Sequence, residues 1–225
     1  MYSNRIVRSA SQINDAMLAV YTHMFMAVIT SMFVSALIGY NHAAMDLLFG
    51  TPLKWVVIFA PLVTIIGIGY ALATDPPKPV ALAMLHGFAA IMGVSFSSIF
   101  VVFTLGSIWS AFAGAAILFG TMTFYGYFTR QSLDSIGQFL FVGLIAIVIA
   151  SLINLWLQNS VMHMVVSALA VIIFTVLTAY DTQKIREEVS YDTHNGTAEI
   201  RGALTLYLDF INIFLSLLQL FGDRK

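Results

Sequence analysis

No cysteine occurs among the 225 residues. Its absence excludes a disulfide framework, thiolate catalysis and cysteine-ligated zinc. Charge is scarce as well. Ten basic and eleven acidic side chains make up 9% of the chain, where a soluble domain carries about 25%. So few charges cannot coat a water-soluble globule, which argues against a soluble enzyme and a disordered chain. A net charge of −1 offers no basic footprint for nucleic acid. What the chain does have is apolar surface, at 60% of its residues. Such a composition reads as a polytopic membrane protein whose first partner is the lipid bilayer.

A bilayer core of about 30 Å needs about 20 apolar residues in a helix. Seven stretches qualify, at about 17–40, 53–74, 80–105, 107–128, 136–157, 161–181 and 203–221. Asp75-Pro76-Pro77-Lys78-Pro79 punctuates the second and third, and Gly106 separates the third from the fourth. No period-2 alternation of the barrel kind appears. The expectation is an all-α integral membrane protein, one transmembrane domain over 1–225, with a charged cytoplasmic loop at 182–202. The first span exceeds a signal-peptide core of about 7–15 residues and reads as retained. With the N-terminus inside, the cytoplasmic face carries Arg5, Arg8, Lys78, Arg130, Lys184, Arg186 and Arg201, and the outer face Lys54, Arg224 and Lys225. That asymmetry predicts an inside N-terminus and an outside C-terminus. Gly93 with Ser97, and Ala111 with Ala115, have the spacing of close helix interfaces. Gly67 and Gly69 read as packing or a bend.

Nearly every charge falls in a loop, a tail or a terminal turn. Asp209 is the exception, six residues inside the seventh span and about 9 Å deep at 1.5 Å per residue. An acid at such depth faces a cavity or a partner rather than lipid. Thr205, Asp209, Asn212, Ser216 and Gln219 are spaced to share one helix face. A polar stripe of that length must face protein or water. The seventh helix is therefore expected to be central or to line a pathway. A second acid, Asp181, closes the sixth span and reaches the bundle from the same membrane face. Either it pairs with Lys184 in the headgroup region or it meets Asp209. Two carboxylates in a low-dielectric site cannot both ionise cheaply and titrate as a unit. They would also offer hard oxygen to a transient calcium ion.

The histidines give less. His23 and His86 lie in spans, and His42, His163 and His194 near ends or loops, without metal-ligand spacing. Glu187, Glu188, Asp192 and Glu199 lack EF-hand spacing. They read as a solvated loop, with a short helix continuing the sixth span through Glu188. No resident metal and no cofactor are expected.

Leu177-Thr178-Ala179-Tyr180-Asp181-Thr182-Gln183-Lys184-Ile185 and Gly202-Ala203-Leu204-Thr205-Leu206-Tyr207-Leu208-Asp209-Phe210-Ile211-Asn212 resemble the C-terminal signatures of the Bax inhibitor-1 family. Ser97-Ser98-Ile99-Phe100, Phe119-Gly120, Tyr125-Gly126-Tyr127 and the run Ala150 to Leu157 are similar too. The short loops and tails look like its bacterial inner-membrane branch. The resemblance implies seven helices with the last surrounded by the first six. It also implies a pH-sensitive calcium leak sensed by an aspartate pair, here Asp181 and Asp209. Some members carry a basic latch on the second helix. This chain has only Lys54 there, at the other face, so Lys184 or Arg201 is the candidate substitute.

Three other functions compete. A membrane stress or quality-control regulator would act through membrane protein partners. An intramembrane aspartyl protease would use the same dyad. However, Leu206-Tyr207-Leu208 replaces the glycine-rich context before the second aspartate, and no Pro-Ala-Leu segment follows. A zinc hydrolase would need converging histidines that the spacing does not supply. The expected protein is therefore no enzyme but a leak for calcium or other cations, responsive to protons.

Overall fold

The computed structural model describes residues 8–191 and 196–225. Arg5, Asp192 and His194 lie outside the described residues. Among those described, the chain is helical throughout, with no β-sheet. Its elements are α1 (Ala10–Gly39), α2 (His42–Phe49), α3 (Leu53–Leu72), α4 (Lys78–Phe96), α5 (Ile99–Val102), α6 (Leu105–Phe128), α7 (Asp134–Leu157), α8 (Ser160–Tyr191) and α9 (Thr197–Phe221). Seven helices are long and apolar enough to cross a membrane, with α4 and α5 counted together. The chain is an all-α integral membrane protein.

Local chemistry sets the helix ends. Ser9 caps α1 by accepting from the Gln12 N–H, while its own N–H donates to Gln12 Oε1 at 2.8 Å. This reciprocal pair satisfies two otherwise orphaned donors. Pro77 and Pro79 open α4, where a missing N–H costs nothing. Gln158 closes α7 in the left-handed region at φ 50°.

The chain divides into two compact units, and each half of α9 belongs to one of them. The first takes the described residues up to Thr104, then Glu187–Tyr207 and Lys225. Here α1 and α4 approach so closely that a Cβ on Gly93 would lie 2.7 Å from the Ser31 carbonyl. Ser31 Oγ donates to the Ala89 carbonyl at 2.7 Å and lies 2.6 Å from Tyr207 Oη. Tyr207 is fully buried and meets the ring of Phe88 edge-on at 6.0 Å. His86 Nδ1 is satisfied by Thr30 Oγ1 at 3.0 Å.

The second unit takes Leu105–Arg186 and Leu208–Arg224. Its core is aromatic. Phe112 sits edge-on to Phe210 and Phe214, and Phe119 to Phe210. Of the seven spanning helices α9 is the most covered. In its most apolar stretch 56% of residues are buried, against 11–33% in the others.

Three expectations need correction. The charged segment 182–202 is not a loop of that length, since α8 continues through the expected Glu188 to Tyr191 and α9 begins at Thr197. Apolarity ends near Asp181, but helical spacing does not. Ile185 and Val189 are buried one turn apart on the same face. Glu199 is not solvated. It is 8% exposed and paired to Arg8 at 3.4 Å and Lys78 at 3.1 Å. Of packing or a bend at Gly67 and Gly69, close packing is not found, because a Cβ at either would meet nothing within 4 Å.

Candidate functional site

Asp181 and Asp209 both lie in the second unit. α8 runs on from Asp181 to Tyr191, and α9 starts at Thr197, well before Asp209. Asp181 thus stands ten residues before the end of α8 and Asp209 twelve residues after the start of α9, and their carboxyl groups are close enough to interact directly. Lys184 does not take Asp181 as its ion-pair partner. Its Nζ lies 3.3 Å from Asp134 Oδ1 instead. Asp209 is only 4% exposed, and Asp181 is half-buried. Buried Asp209 Oδ2 has no hydrogen-bond partner among the described residues.

Glycines on two helices bring α8 to this position. A Cβ on Gly126 of α6 would collide with the Ala179 backbone, and one on Gly137 of α7 with the Tyr180 ring. Only hydrogen fits at those two contacts. Just past Asp181 the helix is tied to the α6–α7 turn. Gln183 Nε2 donates to the Gln131 carbonyl and its Oε1 accepts from the Leu133 N–H, both at 2.9 Å. Arg186 donates to the Tyr127 carbonyl at 3.2 Å, with its guanidinium 4.8 Å above the Tyr127 ring. Thr178 and Thr182, which flank Asp181, are fully buried.

The polar stripe divides between the units. Thr205, in the first, donates to the Arg201 carbonyl at 3.2 Å. In the second, Asn212 Nδ2 donates to the Leu208 carbonyl at 2.8 Å, and Ser216 is buried. Gln219 Oε1 accepts from Ser167 Oγ at 2.8 Å. Arg201, the other candidate latch, binds Asp75 at 2.6 Å and also pairs with Glu188.

Sequence reasoning missed Ser167, the cleft beside Gln219 described below, and the Glu199 junction. Ser167 stood out only as one hydroxyl in an apolar span. Glu199 was hidden because its partners, Arg8 and Lys78, are remote in sequence.

Chemically, a carboxylate can only accept a hydrogen bond, so two carboxyls bond to each other only when one of them carries a proton. Losing that proton sets like charges together in a medium of low dielectric. Among the described residues no group of three or more His, Asp or Glu gathers as a metal site.

The profile of the family described as "Inhibitor of apoptosis-promoting Bax1" matches residues 13–225. The "Inner membrane protein YbhL" of Escherichia coli (strain K12) is 36% identical over 228 residues, covering 99% of this chain and 97% of that one. An uncharacterized protein of Caulobacter vibrioides is 32% identical, covering 93% of this chain and 88% of its own length. With spanning helices, signatures and relatives in agreement over nearly its whole length, the chain belongs to the Bax inhibitor-1 family of membrane proteins.

Proposed function

We propose that the protein is a passive, pH-sensitive leak for cations, calcium foremost, gated by Asp181 and Asp209 within one transmembrane domain. The observation that carries this reading is the carboxyl–carboxyl contact at a position shielded from water. Such a contact holds only while a proton is shared. Deprotonation forces the acids apart or draws in a cation, and either event shifts α8 against α9. Calcium takes about 6–8 oxygen ligands. Two carboxylates therefore suit a passing ion completed by water and backbone rather than a resident one. The same chemistry does not require an enzyme.

The membrane is a bacterial inner membrane on this reading, as the name of the Escherichia coli relative supports. The N-terminus lies in the cytoplasm, as the Lys and Arg distribution supports.

Purified protein reconstituted into calcium-free vesicles tests the proposal. External calcium should enter faster than into protein-free vesicles and with a rate that varies with pH. Flux equal to that of empty vesicles at every pH would overturn it and favour a regulator acting through membrane partners.

A further inference from the structure

The polar face of α9 continues past Asp209. Asn212, Ser216 and Gln219 follow at helical spacing, all within the second unit. Asn212 is turned back on its own helix, and Ser216 is 7% exposed. The line reaches the surface at Gln219, about 15 Å of helical rise from Asp209. Gln219 also lines an open cleft of about 670 Å³ between the end of α7, the start of α8 and the end of α9. Ser151, Asn154, Asn159, His163 and Arg224 furnish its polar wall. Just inside, Ser167 Oγ donates to Gln219 Oε1 at 2.8 Å, and Ser167 is itself 3% exposed.

We propose that this cleft is the second mouth of the cation route and that the Ser167–Gln219 hydrogen bond is its closure. The inference rests on the reading of the aspartate pair as the other gate. One neutral hydrogen bond joins α8 to α9 where the buried polar line meets an open polar cavity. When it breaks, the carboxamide can swing into the cleft and bond to water or to the amide side chains there, and the buried Ser167 hydroxyl can turn back to the backbone carbonyl one turn earlier in α8. The lining carries Arg224 and His163 but no carboxylate. A mouth of that sign does not concentrate cations, which suits a slow leak rather than a fast channel.

The cysteine-free chain allows a direct test in reconstituted vesicles with a membrane-impermeant thiol reagent. Asn154→Cys should label at once from the cleft side. Ser216→Cys should label slowly, and about fivefold faster when Gln219→Ala is added, the weight of one net hydrogen bond. Ser167→Ala and Gln219→Ala should raise calcium influx by a similar factor and keep its pH response. Ser167→Thr, which retains the hydroxyl, should behave as the parent. Unchanged Ser216→Cys labelling and unchanged influx in both alanine variants would overturn the proposal. If Asp209→Asn still removed the pH response, that failure would belong to the mouth alone. If it did not, the aspartate reading would fall with it.

Discussion

Asp181 on α8 and Asp209 on α9 bring their carboxyl groups into direct interaction, with Asp209 only 4% exposed. Neither lies at a helix end, and among the described residues neither is the ion-pair partner of a base. Lys184 goes to Asp134, and Arg201 to Asp75 and Glu188. The packing of α8 brings the two acids together, with Gly126 and Gly137 admitting the Ala179 backbone and the Tyr180 ring.

The carboxyl contact separates two substitutions at one position. Asp209→Asn keeps a donor for the Asp181 carboxylate and should leave thermal stability near that of the parent. Asp209→Ala removes the partner and opens a small void, and should cost about 1–3 kcal/mol. Thermal unfolding in detergent checks the difference. Equal losses in the two variants would show that the contact contributes nothing.

Gly126 and Gly137 should be intolerant of a methyl group for different reasons. At Gly126 the added Cβ meets the backbone of Ala179, which cannot swing away. At Gly137 it meets the ring of Tyr180, which can turn. Gly126→Ala should therefore cost about 3 kcal/mol and Gly137→Ala about 1 kcal/mol, the ends of the range for overpacking. Gly67→Ala and Gly69→Ala, with open space around them, should be neutral or mildly stabilising because alanine is the better helix former. Melting temperatures of the four variants check the ranking.

In the first unit, Ser31 and Tyr207 give an asymmetric pair. Tyr207→Phe removes a hydroxyl but leaves Ser31 bonded to the Ala89 carbonyl at 2.7 Å, and should cost about 1 kcal/mol. Ser31→Ala strips the buried Tyr207 hydroxyl of its 2.6 Å partner, and should cost more, up to about 3 kcal/mol. The reverse order, measured by unfolding, would contradict this account of the network.

Glu199 joins Arg8 near the chain start to Lys78 at the start of α4. Its side chain is 10% exposed, and that of Lys78 is 43% exposed. Glu199→Gln leaves two bases without their acid and should cost about 2 kcal/mol, between surface and buried pairs. Lys78→Ala should cost under about 1 kcal/mol. Unfolding at low and high salt should show the Lys78 effect fading with salt and the Glu199 effect persisting.

The seven spans were legible because the bilayer imposes a length that composition alone reveals. The α9 stripe was legible because polar residues at helical spacing are conspicuous in an apolar run. The polar extension of α8 was legible through Glu188, since helical spacing outlasts the apolar run there, and only its last three residues to Tyr191 were not. The short α2 and the break at Ser97-Ser98 lie below what span length can resolve. Gly126 and Gly137 look no different in sequence from Gly67 and Gly69. Only the approach of α8 separates them. The partners of Lys184, Arg201 and Glu199 are set by tertiary structure, and charge spacing along the chain could not supply them.

The most direct test is calcium influx into vesicles measured across pH for the parent, Asp181→Asn and Asp209→Asn, with correct insertion and folding verified for each. The account predicts an influx that depends on pH in the parent and is flat in both variants, because either substitution removes the like-charge contact whose making and breaking the gate depends on. A pH response in both variants that matches the parent would contradict it.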